Sequence, residues 1–129
     1  MDLSQIPWDK MLEAALDTFY MMIFSGIIIF IVGLALGLIL YLTEEGGLHE
    51  NLRLNRGISS MINILRSIPY VILIVIMVPI TKLLTGRIIG INAAIPTLVF
   101  TMSPFFARIM YMALREVNTG VIEAAKAMG

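Results

Sequence analysis

The sequence predicts an all-α, polytopic integral membrane protein, and three observations predict it. Of its 129 residues 59% are apolar and only 14% charged, against about 45–50% and about 25% in ordinary globular chains. Mean hydropathy is +0.93, more apolar surface than so short a chain hides from water, since a fold of about 150 residues buries only about 70% of what its chain exposes. The apolar residues also fall in three long runs rather than being scattered. Lipid offers no partner to a backbone amide or carbonyl, so runs of this length and character form helices.

The first run lies between Asp17 and Glu44, 26 residues without a charge. As a helix it measures about 39 Å, enough to cross a hydrocarbon layer of about 30 Å with some tilt. We take 18–43 as a transmembrane segment. Residues 1–17 precede it as an external or interfacial stretch. There Trp8, Met11, Leu12, Ala15, Leu16 and Phe19 recur at helical spacing, a stripe suited to lying in the interface before the chain turns in. A secretory signal peptide is excluded by charge: Asp2, Asp9, Glu13 and Asp17 outweigh one lysine, the reverse of a basic leader.

The second segment, 58–81, is interrupted only by Arg66, and the third, 88–107, is bounded by Arg87 and Arg108. Pro69 and Pro79 lie in the second, Pro96 and Pro104 in the third. Proline inside a membrane helix kinks it and frees a carbonyl that a neighbour must satisfy; Asn63 and Ser67 are placed to do so for Pro69. Arg66 at the bilayer centre would cost at least about 2.5–3.5 kcal/mol. Only 15 residues separate it from the end of its segment, so the first expectation is a snorkelling arginine near the cytoplasmic boundary. A place in helix pairing or in a pathway is the other. In the first segment Gly33 and Gly37 form G-x-x-x-G, which lets two helix backbones approach closely.

Three crossings put the N-terminal tail and the 82–87 loop on one side, the 43–57 loop and the C-terminal tail on the other. The first side carries Lys10, Lys82 and Arg87; the second carries Arg53, Arg56, Arg108, Arg115 and Lys126, with Arg66 near its boundary. The excess predicts an external N-terminus and a cytoplasmic C-terminus.

The nine basic and nine acidic residues balance, so no net field draws the chain to nucleic acid. No cysteine is present, which excludes a thiolate site or nucleophile. No phosphate-binding loop or metalloprotease motif occurs, and His49 stands alone in a polar loop. No acidic residue lies inside an apolar run, which argues against an ion-coupled carrier and an intramembrane protease. Neither a catalytic residue nor a metal ligand is expected. A small, non-catalytic membrane protein that regulates or scaffolds others fits the same composition.

After the third run, Asn118, Thr119 and Gly120 read as a helix break, followed by the strong helix formers VIEAAKAM and then Gly129. Val121, Ala125 and Met128 fall on one face with Ile122 beside it, on a segment too short to be stable alone in water.

Glu123-Ala124-Ala125, three residues, then Gly129 resembles the opening of the EAA loop of bacterial ABC-importer permeases. The stretches GLALGLILYLT (33–43), RSIPYVILIVIMVPITKLL (66–84) and SPFFARIMYMALREVNTGVIEAAKAMG (103–129) are similar to the permease subunits of methionine-type ABC importers. Arg66 to Pro69 is similar to the R-x-x-P of amino-acid permeases of this class. The resemblance implies part of a type I importer permease domain over 1–129: three transmembrane helices and, at 118–129, the start of a cytoplasmic coupling helix. It implies that Glu123, Ala124, Ala125 and Gly129 dock a cytoplasmic ATPase subunit. Arg66, Pro69, Gly33 and Gly37 would serve the pathway or helix packing. It further implies a permease homodimer in the lipid of the bacterial inner membrane, an external substrate-binding protein, and ATP and Mg held by the ATPase rather than by this chain. Family members continue past this loop into further membrane helices, so we expect an N-terminal portion of such a permease.

Overall fold

The computed structural model describes residues 2–129. After a single 3-10 turn at Leu3–Gln5 come five helices: α1 Trp8–Thr43, α2 Leu52–Ser67, α3 Tyr70–Thr85, α4 Ile91–Arg115 and α5 Thr119–Ala127. α1 and α4 are each long and apolar enough to cross a membrane, and α2 with α3 supplies a third crossing if that bent pair is one span.

The fold departs from expectation at three places. α1 does not turn after an interfacial stretch but runs unbroken for 36 residues, about 54 Å, because nothing from Trp8 to Thr43 interrupts the helical ladder. The segment 58–81 is not one helix: α2 and α3 meet at a bend of 110°. The cause is Pro69. Its ring crowds the preceding residue out of the helical region, so Ile68 is extended at φ −80°, ψ 128° and α3 restarts after the proline. The Ser67 hydroxyl donates to the Asn63 carbonyl, 2.7 Å away and one turn back within α2. Finally, Thr119 and Gly120 belong to α5 rather than to a break.

α4 is the organising element, in contact with α1, α2 and α3, while α2 also touches α1. α1 and α4 run parallel. Gly33 faces Phe106, Gly37 faces Ala107 and Met110, and Glu44 meets Tyr111. A Cβ on Gly37 would lie 2.8 Å from the Ala107 carbonyl oxygen and 2.8 Å from the Met110 Cβ. The two backbones touch because these glycines have no side chain. At the centre Leu40, Ile62 and Ala107 are buried against Leu36, Ile58 and Tyr111. α3 runs back along α4, with Thr81 and Thr97 sharing a buried hydrogen bond of 3.2 Å. Most of the remaining surface is exposed and apolar, Val71, Val75 and Ile31 for example. Such a rind suits lipid and would be a liability in water.

The parallel pairing has a topological consequence. The C-terminal ends of α1 and α4 lie together, where the Tyr111 hydroxyl donates to Glu44 and the Arg115 Nε stands 3.9 Å from the same carboxylate. Arg108 and Arg115 both lie over the Tyr111 ring, at 5.4 and 5.7 Å from its centre. Asn55, near the start of α2, donates to the Leu40 carbonyl at 2.8 Å. The 44–51 loop and the C-terminal segment therefore share one end of the bundle.

Candidate functional site

At that end α5 stands apart. No other helix packs along it, and every residue from Arg115 to Gly129 is exposed except Ile122. Its start is fixed locally: the Asn118 side chain accepts from the Gly120 amide at 2.8 Å, satisfying one of the free donors of the first turn. Its end is fixed by Gly129 at φ +95°, where a side chain would be strained. Removing the cap should loosen the helix. Asn118→Ala is expected to cost about 1 kcal/mol of local stability, measured as faster amide exchange in residues 119–127 with none in α4.

The helical register divides the predicted residues. Thr119, Ile122, Glu123 and Lys126 face a groove of about 340 Å³ shared with Glu44, Glu45 and Arg115. Val121, Ala124, Ala125 and Met128 fall on the opposite side, with Val121 63% and Met128 89% exposed. Ala124 and Ala125 thus share an open face, while Glu123 turns toward the bundle. Ile122 does not extend the open face; it is the half-buried foothold of α5 on the 44–48 loop. Helical periodicity leaves the choice between these two faces open, because it fixes the angle between residues and not the side that meets the bundle.

The other predicted residues lie elsewhere. Gly33 and Gly37 are brought together in the α1–α4 contact. Arg66 and Pro69 flank the α2–α3 bend. The Arg66 guanidinium sits over the Phe105 ring, 5.9 Å from its centre. Phe105 lies three residues before Arg108, about 4.5 Å along α4, toward the end of the bundle where Tyr111 meets Glu44. Because α2 and α3 meet at a bend, the count of 15 residues to the end of the segment does not measure how far Arg66 stands from that end. His49 is an exposed loop residue, and no cluster of three or more potential metal ligands occurs among the described residues.

Residues 33–129 match the family of binding-protein-dependent transport system inner membrane components. The chain belongs to this family. Among its relatives, the probable D-methionine transport system permease protein MetI of Vibrio cholerae serotype O1 is 46% identical over 121 residues, covering 94% of this chain and 54% of the relative. The methionine import system permease protein MetP of Bacillus subtilis strain 168 is 52% identical over 91 residues, covering 70% of this chain and 41% of the relative. A solved structure of the MetNI methionine ABC transporter, in inward-facing conformations, superposes with a TM-score of 0.92 at 40% identity, over 100% of this chain and 59% of that one. The chain spans about half the length of the relatives it matches. The family's inner membrane component accounts for the apolar rind and for the five-helix arrangement, which that solved structure shares.

Proposed function

We propose that the chain is the N-terminal portion of a permease subunit of an ATP-driven importer, and that the imported molecule is methionine. The observation carrying this reading is the match over nearly the whole chain to permeases named for methionine transport, joined to a helix held out from the bundle. In this reading residues 118–129 begin the coupling helix. Its open face, with Ala124 and Ala125, enters a cleft of a cytoplasmic ATPase subunit. Small side chains allow that close approach, and Gly129 provides the exit turn. Glu123 lies on the other side of the helix, lining the groove beside Arg115 and Lys126. The ATPase subunits hold ATP and Mg, and their ATP-driven closure moves the coupling helices; two permease copies form the pathway; an external binding protein delivers substrate. The N-terminus lies outside and the loop end of the bundle lies in the cytoplasm of the inner membrane, as the basic-residue bias supports.

The test uses the full-length permease reconstituted with its ATPase and binding protein in liposomes. ATP-dependent accumulation of labelled methionine is the expected result. Gly129→Asp should abolish both uptake and co-purification of the ATPase while leaving membrane insertion intact. Absence of ATP-dependent methionine uptake by the unmutated complex would overturn the proposal.

A further inference from the structure

We infer that Tyr111 and Glu44 are positioning residues for transport: their hydrogen bond fixes the 44–48 loop, on which α5 rests, to the paired ends of α1 and α4, so that a displacement of α5 reaches both helices. The inference rests on the importer reading above and deepens it by naming the residues through which ATP-driven movement enters the bundle. The observation is a carboxylate at the end of α1 that accepts from a tyrosine of α4 while its own loop bears the foothold of α5.

Three features carry it. The first is the covalent connection. Residues 116–118 join α4 to α5, and each contributes two soft dihedral angles. A connection of that kind sets how far α5 lies from α4 and leaves its direction free; direction needs lateral support, which Ile122 finds on the 44–48 loop. The second is the stiffness of that loop. The last carbonyls of a helix have no helical partners, and here the chain that follows α1 answers them. Leu42 accepts from the His49 amide at 3.0 Å, Thr43 from the Asn51 amide at 3.1 Å, and Leu40 from the Asn55 side chain at 2.8 Å. The loop is thereby folded back onto α1, and a force on it moves the helix end instead of deforming the loop. The third is the crossing to α4. Glu44 opens the loop, its side chain only 24% exposed, and accepts from the Tyr111 hydroxyl. The Tyr111 ring packs against the buried Leu40, Ile62 and Ala107, and Arg108 and Arg115 lie over it, so the hydroxyl stands on an anchored base. A hydrogen bond to a charged acceptor is about twice as strong as a neutral one. Without it the ends of α1 and α4 are free to part beyond the Gly37–Ala107 contact, and a push on the loop is absorbed by separating them.

The full-length permease with its ATPase and binding protein in liposomes tests this, read as methionine imported per ATP hydrolysed. Tyr111→Phe keeps the ring, its packing and both guanidinium contacts and removes only the hydroxyl. It is expected to leave the ATPase attached and hydrolysing while the ratio falls about fivefold or more, the lower end for a coupling free energy between two sites. Glu44→Ala should do the same. Glu44→Gln, which keeps an acceptor for the hydroxyl, should restore part of the ratio. Combining Tyr111→Phe with Glu44→Ala should be no worse than either alone, because the two residues act as one link. An unchanged ratio in Tyr111→Phe overturns the inference, as does a double variant whose effect is the product of the single ones; a structural role alone lowers the yield of complex and leaves the ratio per complex as it was. Where Glu44→Ala fails to fold, Tyr111→Phe decides. Amide exchange is a readout independent of transport: residues 45–51 and 119–127 should exchange faster in Tyr111→Phe, and unchanged exchange also overturns the inference. ATP-dependent uptake by the unmutated complex is scored separately. Its absence removes the importer reading, and the exchange data still decide whether Tyr111 holds the loop.

Discussion

Gly37→Leu is expected to separate α1 from α4 and to destabilise the bundle by about 3 kcal/mol, the upper part of the range for overpacking a tight contact. The Cβ alone would lie 2.8 Å from the Ala107 carbonyl oxygen and 2.8 Å from the Met110 Cβ. A carbonyl in the middle of a helix has no rotamer to move to, so relief requires the helices to part. Parting them draws Leu40 away from Ala107 and loosens the Tyr111–Glu44 link at the end of the bundle. Gly26→Leu is the control: it lies in the same helix and carries the same loss of glycine, but nothing stands within 4 Å of its Cβ. Reversible unfolding in mixed micelles of lipid detergent and dodecyl sulfate measures both. A Gly37→Leu variant as stable as Gly26→Leu would show that the α1–α4 backbones do not touch. Gly33→Leu should cost less, because its obstacle is the Phe106 side chain, which can rotate.

The second large effect concerns α5. Ala125→Arg is expected to abolish co-purification of the ATPase with the full-length permease, with the thermal stability of the permease unchanged. The side chain at 125 points away from the bundle, beside Val121 and Met128, which are 63% and 89% exposed. An arginine there meets nothing in this chain but would hold a close-fitting partner off by several ångströms and bury an unpaired charge against it. Glu123→Gln provides the contrast. Its side chain faces the groove against the 44–48 loop, so it should leave the ATPase attached while reducing uptake. Equal loss of attachment in both variants would mean that α5 is gripped from both faces, and retention in Ala125→Arg would remove the open face from the interface.

Sequence and structure contributed differently to these two sites. The helical class, the apolar spans and the separate character of 118–129 follow from composition and spacing, because lipid permits no other backbone arrangement for such runs. The G-x-x-x-G at Gly33 and Gly37 was legible as a place of close approach. Its partner was not, since small residues state how near another helix can come and not which one comes. The foothold role of Ile122 left a single signal, an apolar residue just off the open stripe, and that signal reads equally well as part of the stripe.

What the sequence determined by itself is the solvent of this protein and the chemistry of its segments: hydrophobicity and helical spacing are local properties, written in order along the chain. What only the tertiary structure decided is which residues share a level and a side. Pro69 was visible, yet a 110° bend rather than a mild kink depends on α4 supporting both arms at once. That bend carries Arg66 to the ring of Phe105, 39 positions later in the chain. Depth in a membrane is a three-dimensional coordinate, and residue counting measures it only while the helix stays straight.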